Sequence, residues 1–166
     1  APAGRAAVRV ARCDISQPAD VSRLCMAISG SDAPAMRGVW HAAGLLADGL
    51  VRSLRASSLC RVYAPKAHGM WALHRACSPS PLDACTSFSS VAALLGGAGQ
   101  ANYSAANCCL DALATCRRAH GLGSSSVQWG PWANIGMAAG GAIHSRMEAA
   151  GIGLLGLEEG IAGWRA

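Results

Sequence analysis

Leu82-Asp83-Ala84-Cys85-Thr86-Ser87-Phe88-Ser89-Ser90 carries the signal of a strand, and it is followed by a long Ala-rich helix, Gln100 to His120, closed by Gly121, and by another strand at Ser124 to Trp129. Two strands joined through a helix of that length require a crossover, which makes the pair parallel. The same alternation extends upstream. Val8 to Ile15 alternates at period two and leads through Ser16-Gln17-Pro18-Ala19-Asp20 into a helix ending near Ile28. Met36 to Ala43 repeats the strand signal, Asp48 to Leu54 gives a short helix, and Ser57 to Cys77 holds apolar residues at helical spacing around Lys66. Downstream lie a Gly-rich loop at Gly136 to Gly141, a helix from about Ala142 to Ala150 and the start of one more. Alternating strands and helices imply an α/β fold built on a doubly wound parallel sheet covered on both faces. Such sheets bind ligands outside the carboxyl ends of their strands, so chemistry is expected at the loops of Gly44, Ser90 and Gly130.

Composition narrows the function classes. With 166 residues, 52% of them hydrophobic and 14% charged, the chain can bury roughly 70% of its unfolded surface in a single core. Mean hydropathy of +0.27 argues against disorder. No apolar run reaches the roughly 18 residues of a membrane span, and Ala1-Pro2-Ala3-Gly4-Arg5 lacks the apolar centre of a signal peptide. A soluble cytoplasmic domain is expected. The abrupt start and a finish inside a helical pattern, Gly156 to Trp164, lead us to expect that both ends are cut from something longer. Net charge is +5, yet the arginines are scattered and only eight aromatic side chains are available for base stacking, so nucleic acid is not an expected partner. Eight cysteines sit in apolar, patterned segments without CxxC spacing, which argues for buried free thiols over a metal site or a disulfide framework. One oddity stands out: against 13 arginines, Lys66 is the single lysine.

Tyr103 and Asn107 are four residues apart on the long helix and share a face, downstream of a strand that ends in Ser90. A phenol, a hydroxyl and an amide can converge there. Taken singly, they read as a packing residue, a cap and a solvated polar group. Taken with their surroundings, they resemble the ketoreductase domains of type I polyketide synthases and the related animal fatty acid synthases, within the short-chain dehydrogenase/reductase superfamily. The matching blocks are Gly38-Val39-Trp40-His41-Ala42-Ala43-Gly44, Pro65 to His74, Phe88-Ser89-Ser90-Val91-Ala92, Gly99 to Asn107, and Trp129-Gly130-Pro131-Trp132. Five separated blocks agree in order over nearly the whole chain.

The resemblance implies a catalytic set of Tyr103, Ser90, Lys66 and Asn107. Tyr103 would protonate a ketone oxygen as hydride arrives at carbon. An unperturbed phenol titrates near about 10, so it needs tuning, a role that falls to the Lys66 ammonium, which would also bond the nicotinamide ribose. Ser90 would hold the carbonyl oxygen, and Asn107 would maintain a water-linked proton path. The wider superfamily places its lysine four residues after the tyrosine. Here Asn107 stands at that position, and the lysine lies 37 residues upstream of Tyr103, as in synthase-embedded ketoreductases.

Cofactor contacts are implied at Asp14 near the adenine, at the turn His41, Ala42, Ala43 and Gly44, at Lys66 and Tyr103, and at Gly130 and Pro131 beside the nicotinamide; Ser89 is a rival to Ser90 that the spacing to Tyr103 disfavours. Read without the family, these are a capping aspartate, a turn glycine and a loop proline. The implied cofactor is NADPH, and the implied partners are an acyl carrier protein bearing a β-ketoacyl phosphopantetheine and neighbouring synthase domains. Leu46-Ala47-Asp48, together with Leu95 where other members carry tryptophan, leans to the B-type, D-hydroxyl class. No glycine-rich phosphate turn precedes Val8. The expected fold is thus a partial Rossmann-like sheet, with the N-terminal βαβ unit, its Gly-rich turn and the last strand missing, and residues 1–166 one partial ketoreductase domain. In a strand order of 3-2-1-4-5-6-7, edges would lie open, and the isolated piece is expected to be poorly stable and to bind NADPH weakly. Two alternatives stay open: a non-catalytic structural remnant of such a domain, and a free-standing short-chain reductase of a small ketone.

Overall fold

The computed structural model describes residues 7–30, 34–78, 80–133, 135, 145, 147–149 and 151–165. Three parallel strands form a sheet in chain order: β1 (Gly38–His41), β2 (Ala84–Ser90) and β3 (Ser125–Trp129). Trp40 stands opposite Thr86, and Ser90 opposite Trp129. The α/β class expected from alternation is therefore the fold observed, a Rossmann-like parallel sheet with helices. Before the ladder begins, Asp83 accepts two hydrogen bonds from Arg37, at 2.6 and 2.5 Å.

The strand expected at Val8 to Ile15 is not formed. Val8 and Val10 are exposed, and no strand among the described residues lies where it could supply a ladder. Alternating apolar residues become a strand only when a neighbour takes up their backbone groups, and the expected neighbour is not among the described strands. Ile15 is nonetheless held, packed on the first core cluster.

Helix α1 (Pro18–Ser29) opens on a proline, whose missing N–H is no loss at a first turn, and buries Val21 and Cys25. The helical pattern from Ser57 to Cys77 resolves into three pieces: α2 (Ala56–Tyr63), a π-turn at Ala64–His68, and α3 (Gly69–Cys77). Pro65 accounts for the break. It offers no N–H to the preceding turn and crowds the carbonyl four residues back, so the helix widens where Lys66 turns inward. The short helix expected at Asp48 to Leu54 contracts to a 3₁₀ turn, Val51–Ser53. After β2 come α4 (Ala92–Leu95) and α5 (Ala101–Ala119); α6 (Leu157–Arg165) closes the described chain. The expected Gly-rich loop at Gly136–Gly141 and most of the expected helix at Ala142 to Ala150 lie outside the described residues.

Along β2, Cys85, Ser87 and Ser89 point to one buried face, and Thr86, Phe88 and Ser90 to the other. The first face meets the helices. Val21, Met70, Leu73, Cys77, Cys85 and Leu110 form its main cluster, in which a fully buried Met or Leu contributes about 2 kcal/mol. Asp111 fastens α5 to β3, accepting from Ser126 Oγ at 2.5 Å and Gln128 Nε2 at 2.8 Å. Only Cys25, Cys77 and Cys85 are buried thiols; Cys60, Cys108, Cys109 and Cys116 are exposed, against the expectation of uniform burial. Their helix positions fall on the solvent side, where a small apolar residue costs little. Among the described residues, no helix is long and apolar enough to cross a membrane.

Candidate active site

The carboxyl ends of the three strands open on a cleft of about 490 Å³. Ala42 and Gly44 come from the turn after β1, Ser90 from the end of β2, and Gly130 and Pro131 from the turn after β3. Lys66 enters from the π-turn and Tyr103 from the first turn of α5. These loops are the ones that strand topology singles out.

Lys66 is 3% exposed, so its ammonium lies almost entirely out of water. Its Nζ donates to the Phe88 carbonyl at 3.0 Å and stands 5.3 Å from the centre of the Tyr103 ring. Burial pulls its pKa down to about 8, partly offset by the negative charge of Asp111. Of the three N–H groups on an ammonium, the carbonyl engages one, which leaves donors for a ligand in the cleft.

Tyr103 is buried against Val62, Ala92 and Ala106. Burial pushes its phenol above the ordinary tyrosine range and Asp48 adds to the rise, while hydrogen bonding by Ser90 and Asn107 opposes it. The net shift is upward, opposite to the direction that the sequence reading assigned through Lys66. A phenol so placed keeps its proton until a stronger base forms beside it.

Ser90 Oγ accepts from the backbone N–H of Ala92 at 3.2 Å, which fixes the hydroxyl at the start of α4. Asn107 is fully buried behind Tyr103. Its Nδ2 donates to the Tyr103 carbonyl at 2.9 Å, its carbonyl accepts from Ser89 Oγ at 3.4 Å, and its Oδ1 is buried without a hydrogen-bond partner. Ser89 thus faces the helix side and Ser90 the opposite side, as alternation along β2 requires. Both border the cleft, but the Ser89 hydroxyl is spent on α5.

Three of the residues with implied cofactor roles stand apart from the cleft lining. The His41 ring turns into the helix-covered side, where Nε2 lies 3.2 Å from the Lys66 carbonyl and burial lowers its pKa to about 4. Ala43 does not line the cleft. Asp14 is exposed and accepts from both Ser16 N, at 3.0 Å, and Ser16 Oγ, at 2.7 Å, which keeps its carboxyl below the usual range. Here it is a turn-forming residue ahead of α1.

The far wall of the cleft went unread in the sequence. Ile161 and Trp164 of α6 line it together with Trp132. A Cβ on Gly160 would meet the Trp132 ring, so the missing side chain there is what lets helix and ring cross. Leu157, Ile161 and Trp164 fall at helical spacing, a signal that could have marked this face.

The residues fit one end of a nicotinamide cofactor. A buried ammonium with spare donors suits a ribose, and the small Ala42, Gly44 and Gly130 leave the backbone open to a flat ring. No strand-to-helix turn among the described residues is glycine-rich, so a pyrophosphate cradle is not among them. A protonated phenol and a fixed hydroxyl beside apolar walls can together receive a carbonyl oxygen and stabilise charge that develops on it.

A family model described as the KR domain matches residues 3–134. The chain is 46% identical over 123 residues, 74% of its length, to the phthioceranic/hydroxyphthioceranic acid synthase of Mycobacterium bovis. It is 40% identical over 162 residues, 96% of its length, to the spectinabilin polyketide synthase system protein NorB of Streptomyces orinoci. The chain spans only 6% and 7% of these two relatives. Among solved structures, an A-type ketoreductase from a modular polyketide synthase superposes with a TM-score of 0.88 at 35% identity, covering 95% of this chain and 33% of that one. The ketoreductase from the first module of phoslactomycin biosynthesis in Streptomyces sp. HK803 gives 0.85 at 36% identity, over 92% and 34%.

Proposed function

The chain belongs to the KR domain family, and we propose that it is part of one polyketide synthase ketoreductase domain that reduces a β-ketoacyl thioester on an acyl carrier protein to the β-hydroxyacyl thioester. The observation that carries this reading is the meeting of Lys66, Ser90 and Tyr103 in one cleft at the carboxyl ends of the strands. NADPH is the proposed cofactor, and when bound it supplies the hydride that goes to the β-carbon. Ser90 and Tyr103 bond the ketone oxygen. As the carbonyl π-bond breaks, that oxygen takes the electron pair and becomes the stronger base, and the Tyr103 proton moves onto it. A phenol whose pKa is raised by burial arrives at this step protonated. Lys66 bonds the ribose and, with its Nζ 5.3 Å from the centre of the Tyr103 ring, steadies the phenolate left behind. Asn107, with its unpartnered Oδ1, anchors the water-linked path that returns a proton to Tyr103.

Ala42, Gly44, Gly130 and Pro131 are the proposed walls of the nicotinamide end; of the remaining sequence candidates, His41 and Ala43 contribute through the backbone of the same turn. The apolar side of the cleft, Leu46, Leu95 and Trp132, suits an acyl chain. Product handedness rests on Leu46-Ala47-Asp48, which favours the D-hydroxyl; chiral analysis of the product reads it directly. The test of the whole reading uses the complete domain, NADPH carrying deuterium at the transferable position, and a β-ketoacyl thioester. The expected product is a β-hydroxyacyl thioester with one deuterium on the β-carbon. Cofactor oxidation without that label, or no turnover, refutes it.

A further inference from the structure

Asn102 sits beside the proposed acid yet stays out of the cleft. It is 1% exposed, uncharged, and does not line the cavity. The first turn of any helix leaves backbone N–H groups without intrahelical acceptors, and Gln100, the residue before α5, offers no side-chain cap. Asn102 fills that need itself: its Oδ1 accepts from the Tyr103 backbone N–H at 2.9 Å. The other end of the same amide, Nδ2, donates to the Ala47 carbonyl at 2.8 Å. One planar side chain therefore holds the acid's own backbone and the segment that follows β1.

Two further bonds run in parallel. Gly49 N donates to the Gly99 carbonyl at 2.8 Å, with Gly99 at φ +74°, and Gln100 Nε2 donates to Asp48 Oδ2 at 3.2 Å. Leu45, Leu46 and Ala47 pack on the cluster that contains Tyr103, and Leu46 is itself a cleft wall. The strap 45–49 is thus tied at three points to residues 99–102, immediately before the acid.

We propose that Asn102 is a positioning residue, which sets the Tyr103 phenol against the Leu46 wall by joining the Tyr103 N–H to the Ala47 carbonyl. It touches neither substrate nor cofactor. Its effect falls on the alignment of an acid that must lie within hydrogen-bond reach of the carbonyl oxygen, where displacement of about 1 Å can cost about 100-fold in rate. The inference rests on the proposed reduction for its kinetic half only.

Asn102→Ala in the complete domain is read by kcat and KM for a β-ketoacyl thioester, and by the pH titration of Tyr103 followed through ring-labelled tyrosine NMR, assigned with Tyr103→Phe. We expect kcat to fall 10- to 100-fold with KM for the thioester changed by less than threefold, and the Tyr103 midpoint to drop by at least half a pH unit as its burial loosens. Asn102→Asp keeps the acceptor for the Tyr103 N–H but brings no amide donor to Ala47, so its kcat lies between those of the parent and Asn102→Ala. An unmoved Tyr103 titration in folded Asn102→Ala overturns the proposal, whether or not the variant is less stable, since a purely structural asparagine lowers the folded fraction without altering the phenol. If the parent turns over no β-ketoacyl thioester, the proposed reaction fails, and the titration alone decides the role of Asn102.

Discussion

The two faces of the sheet are built from different chemistry. On the helix-covered face, β1 and β2 present His41, Ser87 and Ser89, all nearly sealed from water and all hydrogen-bonded to backbone carbonyls. On the other face they present Trp40 and Phe88, met by Trp164 of α6 at ring separations of 6.3 and 5.0 Å and joined by Trp129 at 5.6 Å from Phe88. Trp40 and Trp164 remain about half exposed. These three side chains are held at fixed distances, because a buried hydrogen bond tolerates little displacement. On the aromatic face, α6 meets β1 and β2 through ring contacts, which tolerate sliding. Ser90 and Lys66 stand at the junction, and the cleft takes its polar floor from one face and its apolar wall from the other.

Among changes that test the contrast between the faces, removing the charge at that junction should have the largest effect. Lys66→Met should cut turnover about 10²- to 10³-fold yet leave the domain as stable or more stable by up to roughly 3 kcal/mol, because a pKa held near 8 instead of 10.5 records the cost of burying the ammonium. That cost is present in full below about pH 8 and is relieved as the pH rises toward 10.5, so the stability gap between parent and variant should narrow between pH 7 and pH 10. Thermal unfolding at both values measures it, and a variant less stable than the parent at pH 7 contradicts the burial account.

The polar face should also respond to acid. His41 is held neutral down to about pH 4, below its ordinary value of 6.5, so the unfolded chain binds the extra proton first. Stability contributed by neutral His41 is complete above about pH 6.5 and falls as the pH drops toward 4, by up to roughly 3 kcal/mol. His41→Gln should flatten that limb in denaturant titrations at pH 7, 5.5 and 4.5; an unchanged slope would exclude His41 as its source.

The smallest effect is expected on the aromatic face. Trp164→Ala should cost about 1–2 kcal/mol, less than a fully buried Trp, since half of the ring is already exposed. Turnover should fall less than tenfold, mainly through a weaker hold on the apolar part of the substrate, visible as a raised KM. A loss comparable with that of Lys66→Met would erase the distinction between the faces.

Much of this was legible in the residues. Alternation gave β2, β3 and α5 nearly to their ends, because both strands find partners within the chain and the helix carries few β-branched residues. Val8 to Ile15 misled for the converse reason: period two marks the capacity to pair, whereas pairing needs a neighbour. The π-turn was hidden because Pro65 leaves apolar spacing intact while changing the hydrogen-bond ladder beneath it. Lys66, Ser90 and Tyr103 were found through five matching blocks and do converge, but burial of the His41 ring and the turn-forming role of Asp14 depend on contacts that no local pattern encodes. The bifunctional Asn102 lay one residue from a residue already singled out, and its partner, Ala47, is 55 residues away.

The central claim is that Tyr103, kept protonated by burial, is the acid of a carbonyl reduction. In the complete domain, Tyr103→Phe keeps the ring and its packing and removes only the phenolic proton. NADPH oxidation with a β-ketoacyl thioester should fall at least about 10³-fold, with cofactor affinity within a few-fold of the parent's. Turnover equal to the parent's would contradict the assignment and with it the account of the cleft.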